Sequence, residues 1–249
     1  MKPSIDLAKL IAKGFSSPYA PVLLKGSEAN RRQGSRKTDE VFLIDHVNGI
    51  QRQMLQSLER SISYENARYE VTEEYDEALW IHRRPGERFG TPIVEEDFVG
   101  DVSVRLPGLA LLFVPGESAP AGYVSFLVSF QIPAGPITFL GFQMDVYDAW
   151  IKRRHRGHSK SSELAGCAVD VTLGLIMEVC RLGLPTLPDL TLGYASTSDS
   201  AEWFMDACEQ AVENAIDSGL EYCLGQVEVK RYEFLGQSDN DLIHSNCAV

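Results

Sequence analysis

Apolar residues recur along this chain with two different periods, and the switches between them divide it into elements. From Val47 to Ser63 they fall at Val47, Ile50, Met54, Leu55, Leu58 and Ile62, close to one helical turn apart, which predicts a helix. Val41–Asp45 ahead of it reads as a first strand. Leu109–Val114 and Tyr123–Gln131 are runs of β-branched and aromatic residues, parted by turn residues from Pro115 to Gly122, and predict two strands. Thr138–Ile151 supplies the next strand. Helical spacing returns over Glu163–Arg181, with Leu164, Val171, Leu175 and Val179 on one face. Leu190–Ser196 reads as a strand, Ala201–Ser218 as an amphipathic helix behind the capping residues Ser198, Asp199 and Ser200, and Gly225–Leu235 as a last strand. Glu65–Trp80 is an acidic run of helix or loop. Arg83–Asp101, with Pro85, Gly86, Gly90 and Pro92, reads as irregular. The order is helix, three strands, helix, strand, helix, strand, which is an α/β (α+β) class.

The stretch from Met144 to Leu164 joins a strand to a helix through small and cationic residues. Lys152, Arg153, Arg154, Arg156 and Lys160 fall within nine residues of a chain whose formal net charge is −12. Backbone N–H groups at a helix N-terminus, with cations beside them, suit a phosphate or pyrophosphate. A cationic island in an acidic protein points to a local anionic ligand.

Arg156-Gly157-His158-Ser159-Lys160-Ser161, entered from a strand ending in Trp150-Ile151, resembles the acyl-CoA loop of the GNAT acyltransferases. That family's pattern is Arg or Gln, two residues, Gly, one residue, then Gly or Ala. Ser159 and Ser161 stand at the two small-residue positions, where serine allows close approach but lacks the φ freedom of glycine. The resemblance implies a mixed, mostly antiparallel central sheet flanked by helices over about Val41 to Leu235. It also implies transfer of an acetyl or other acyl group from acetyl-CoA to an amine acceptor, by direct attack in a ternary complex.

By position, Ile151, Lys152 and Arg153 would pair through their backbone with the pantetheine arm. Arg156, Gly157, His158, Ser159, Lys160 and Ser161 would cradle the pyrophosphate, and Ser198 takes the place of the family's Asn near the last helix. Asp148 is the first candidate for the general base, with Tyr147 behind it. On an alternating strand Asp148 shares a face with Val146 and Trp150, where partial burial raises a carboxyl pKa; pairing with Arg153 is the alternative role. The family's thiolate-protonating Tyr would fall at Phe204-Met205, which cannot donate a proton, so Tyr194 is the substitute candidate. The competing reading is a non-catalytic GNAT-like or unrelated α/β protein whose cationic loop binds an anionic ligand or partner.

Length and composition add limits. The 249 residues divide into a basic extension (1–40), the acyltransferase-like domain (41–235) and a polar tail (236–249). The acidic excess disfavours nucleic acid and is compatible with an amine substrate. The longest apolar run, Leu106–Val114, is broken by Pro107 and Gly108 and far too short to span a bilayer, so no membrane partner is expected. Five cysteines without a CxxC spacing read as reduced thiols, hence a cytoplasmic location. His155 and His158 have no acidic or Cys partner at ligand spacing, so no metal site is expected. No Walker loop or serine-hydrolase elbow occurs. The acceptor (small amine, peptide N-terminus or protein lysine) and the oligomeric state, a dimer included, stay open.

Overall fold

The computed structural model describes residues 40–43, 49–68, 92–133, 141–156, 160–181, 189–195, 199–215 and 228–234, together with helical positions Asp6, Ala8 and Lys9. The elements are β1 (Glu40–Leu43), α1 (Gly49–Arg68), β2 (Ile93–Glu96), β3 (Val102–Phe113), β4 (Gly122–Ile132), β5 (Gly141–Ile151), a 3-10 turn (Arg153–His155), α2 (Lys160–Arg181), β6 (Asp189–Ala195), α3 (Asp199–Ala215) and β7 (Glu228–Phe234). Among the described residues, seven strands make one sheet in the order β1-β3-β4-β5-β6-β7, with β2 also on β3. Pairing is antiparallel from β1 through β5 and parallel across β5-β6-β7. The change follows from the connections. A short turn returns β3 into β4 antiparallel, whereas α2 and α3 carry the chain back to start β6 and β7 in parallel.

Alternation along β3 feeds two cores. Leu109, Leu111 and Phe113 join Tyr123, Trp150 and the apolar stripe of α1, made by Met54, Leu55, Leu58 and Ile62. Ala110 and Leu112 face the other way, into the main core with Val124, Phe126 and residues of α2 and α3. Ala8 is fully buried in that main core, so part of the N-terminal extension packs against the domain. No described helix is long and apolar enough to cross a membrane.

Two sequence expectations change. Strand β3 runs through Pro107 and Gly108 instead of starting at Leu109. β2 pairs with Val102–Arg105 and β1 with Ala110–Phe113, so Pro107 lies in the interval that neither reaches and breaks no ladder on that edge. Gly108 is required there: a Cβ would lie 2.3 Å from Cζ of Phe126, which faces it across β4. The stretch expected to be irregular contains β2, whose hairpin to β3 is closed by Asp97. Its Oδ1 accepts the N–H groups of Val99, Gly100 and Asp101 at 2.9, 2.8 and 2.9 Å. The basic segment 10–39, most of the acidic run beyond Arg68, and the tail 236–249 lie outside the described residues.

Candidate functional site

The second half of β5 differs from the first. Residues Gly141–Val146 pair with β4 on one side and β6 on the other, and the parallel ladder ends at Val146 opposite Tyr194. At that point the register with β4 shifts: Phe126 faces Val146, but Ser125 faces Asp148. Tyr147 is therefore an extra residue, a β-bulge at the place where the two strands part. The bulge overturns the simple alternation expected from sequence. Asp148 shares its face with Trp150, under α1, while Val146 points into the opposite core. Lys152 N–H donates to Ala121 O at 2.8 Å, so by alternation Ile151 turns its own backbone groups to the side of β5 away from β4, past the last β6 pairing among the described residues.

Asp148 is half-buried on that face, and the hydroxyl of Tyr123 donates to its Oδ2. Tyr123 lies opposite Trp150 on β4, so the contact is the diagonal one that an aromatic side chain can span. Burial pushes the Asp148 carboxyl up from 3.8 to about 6; the Tyr123 hydroxyl and the Ala149 N–H, which favour the charged form, oppose that rise. The partner of this carboxylate is thus a neutral phenol. Before the bulge on the same face, Asp145 is buried and accepts Gln143 Nε2 at 3.0 and 2.8 Å.

Beyond β5 the cations are already engaged. Glu117, in the β3–β4 turn, receives Arg154, lies 3.4 Å from Lys152 Nζ and 2.8 Å from His155 Nε2. Its side chain is only 10% exposed, whereas that of Arg154 is 60% exposed, so the carboxylate is the sheltered centre and Arg154 its outer cover. Burial, then Arg154 and Lys152, hold the His155 pKa below its ordinary value, and Glu65 opposes them. Arg156 Nε donates to Ile151 O at 2.8 Å, which folds the guanidinium back on the strand end. Glu65 of α1 accepts the backbone N–H of Arg153 with both oxygens, at 3.1 and 3.0 Å. At the start of α2, Lys160 Nζ lies 3.2 Å from Glu163, and Ser161 is half-buried in the first turn.

These contacts bring Asp148, Tyr147, Ile151, Lys152, Arg153 and Arg156 together at one end of β5, with Lys160 and Ser161 opening the next helix. Tyr194 stands across from Val146 at the end of the parallel ladder. Gly157, His158, Ser159 and Ser198 lie outside the described residues. Phe204 and Met205 are buried in the main core. Sequence reasoning missed Tyr123, Glu117 and Glu65 as parts of this site. Tyr123 looks like any strand aromatic, and the two glutamates come from distant segments that only the fold brings near. No family model matches the chain, and no curated protein matches it.

Proposed function

We propose that this chain transfers an acyl group, most simply acetyl, from an acyl-CoA to an amine. One observation carries the reading. The Asp148 carboxyl, pushed up to a pKa of about 6 by burial, sits just past a bulge where β5 and β6 part, on the strand that leads into the N-terminus of α2. The GNAT-like loop motif supports it. A carboxylate tuned to that range removes a proton from an ammonium far better than an ordinary aspartate does. The freed amine attacks the thioester carbon, the C–S bond breaks, and the thiolate leaves. Asp148 holds one proton of the ammonium and passes it to solvent; the thiolate takes the second. No proton-donating side chain is needed at Phe204-Met205 on this route, because a thiolate is a good leaving group. Among the described residues, the N–H of Ile151 is the backbone donor on offer to the acyl-CoA arm, since those of Lys152 and Arg153 already serve Ala121 and Glu65.

A second reading is a protein that binds an anion without transferring anything: Arg154 and Lys152 stay gathered around the single carboxylate of Glu117, which leaves the turn a net positive charge. Thermal unfolding across a range of acetyl-CoA concentrations, with an equally charged nucleotide as control, tests the first reading. A saturable rise in midpoint specific to acetyl-CoA, followed by thiol release with an amine panel, supports it. No rise overturns it. A rise with no thiol release from any amine leaves the second.

A further inference from the structure

We infer that Tyr123 is a positioning residue for Asp148, its hydroxyl fixing which carboxylate oxygen is presented to the incoming amine. The inference rests on the acyl-transfer reading above and adds to it a residue that nothing in the sequence marks.

Tyr123 has no exposed surface, so nothing arriving from solvent touches it. It is wedged among Leu109, Leu111 and Trp150 on the sheet and Leu55 and Leu58 of α1. A phenol buried in such surroundings needs an acceptor, and its hydroxyl reaches Asp148 Oδ2. Asp148 itself keeps part of its surface. With Oδ2 taken by the phenol, Oδ1 is the carboxylate oxygen left to meet the amine. Complete burial also rules Tyr123 out as the acid that protonates the departing thiolate. It acts through Asp148.

The surroundings let this one contact dominate. Opposite Asp148 on β4 is Ser125, which is uncharged and buried. The facing stripe of α1 is apolar, and its nearest acids are engaged or turned outward: Glu65 holds the Arg153 N–H, and Glu59 lies off the stripe. Arg60 of α1 is exposed. Along β5, Asp145 is held by Gln143 on the other side of the bulge. Among the described residues, the groups that stabilise the ionised carboxyl are therefore the Tyr123 hydroxyl and the Ala149 N–H.

The test compares wild type with Tyr123→Phe in two independent readouts: the titration midpoint of the Asp148 carboxyl by carbon-detected NMR, and the pH profile of acyl transfer. The midpoint and the acid limb of the profile should both move up by about one pH unit in the variant, with the KM for acetyl-CoA unchanged. Replacing Tyr123 with a fluorinated tyrosine, a stronger donor of similar size, should move both down, and this arm stands even if the phenylalanine variant folds poorly. Midpoints that stay in place overturn the inference, as does a moved midpoint with an unmoved acid limb. A moved midpoint in a protein that transfers no acyl group overturns the acyl-transfer reading and leaves the pairing intact.

Discussion

Glu65 and Arg153, separated by 88 residues, are joined by a two-oxygen link between α1 and the cationic turn: both carboxylate oxygens of Glu65 receive the one backbone N–H of Arg153. The link closes α1 over the end of β5 without using any side-chain cation. It also occupies an N–H that the GNAT resemblance would give to the pantetheine arm. A carboxylate on a backbone donor is a charge-assisted contact, stronger than a neutral one. Glu65→Ala should raise amide exchange at Arg153 by about fivefold or more, because loss of roughly 1–3 kcal/mol is involved. If acyl-CoA competes for that N–H, the same variant will show a larger acetyl-CoA thermal shift than wild type. Two-dimensional exchange spectra read the first effect and thermal unfolding the second.

Asp148 sets stability against activity. Its folded pKa of about 6 lies above the ordinary 3.8, so between those values the native state binds more protons than the unfolded chain. Stability from this group is present at low pH and is lost as pH rises through about 6. The loss amounts to up to about 3 kcal/mol, since each pH unit corresponds to about 1.4 kcal/mol. Asp148→Asn keeps an acceptor for Tyr123 and removes the buried charge. It should unfold at higher denaturant than wild type near pH 8, with the difference shrinking toward pH 5. Acyl transfer in the same variant should fall about 10²–10⁴-fold. Equal stability at both pH values would show that the carboxyl is not desolvated.

Most of the sheet and its helices could be read from the apolar pattern, because α1, α2 and α3 carry helical spacing and β4 to β7 carry runs rich in β-branched, aromatic or alternating apolar residues. The α/β class was legible for that reason, whereas strand direction was not in the spacing: the sheet is antiparallel over β1 to β5 and parallel beyond. β2 was not, since Glu95 and Glu96 give it no apolar face and it exists by pairing with β3. Pro107 and Gly108 hid the first half of β3 because their tolerance depends on what neighbouring strands do. The bulge at Tyr147 leaves no mark in composition, so the face of Asp148 relative to Val146 was read wrongly while its face with Trp150 was read correctly. The cations of the turn were visible, but their acids were not: Glu117 and Glu65 reach them only through the β3–β4 turn and the packing of α1.

Glu117 is the shared acceptor of the cationic turn, and it is more buried than any of the cations around it. Glu117→Gln keeps the shape and removes the charge. Lys152 and Arg154 then lose their counter-ion, and stability should fall by about 1–3 kcal/mol in chemical denaturation. Release of two positive charges should also tighten binding of inorganic pyrophosphate, measured by calorimetry at low salt and weakening as salt is raised. Unchanged pyrophosphate affinity would mean that the turn is not the anion site.

Gly108 and Phe126 test the packing that lets β3 run through its Pro-Gly step. An added Cβ at Gly108 would meet the ring of Phe126 at 2.3 to 2.7 Å, and that ring, 1% exposed, is enclosed by the main core and cannot swing away. Gly108→Ala should therefore cost about 1–3 kcal/mol through overpacking. Phe126→Leu alone should cost a similar amount through lost contacts and a residual cavity. Together the two changes relieve each other, since the smaller side chain vacates the space that the new methyl needs. The double variant should be more stable than the sum of the single losses predicts, by about 0.5–3 kcal/mol, in a four-protein denaturation cycle. Strict additivity would mean that β3 moves away from β4 at Gly108 to accept the methyl, and that the Pro-Gly step is looser than its contacts indicate.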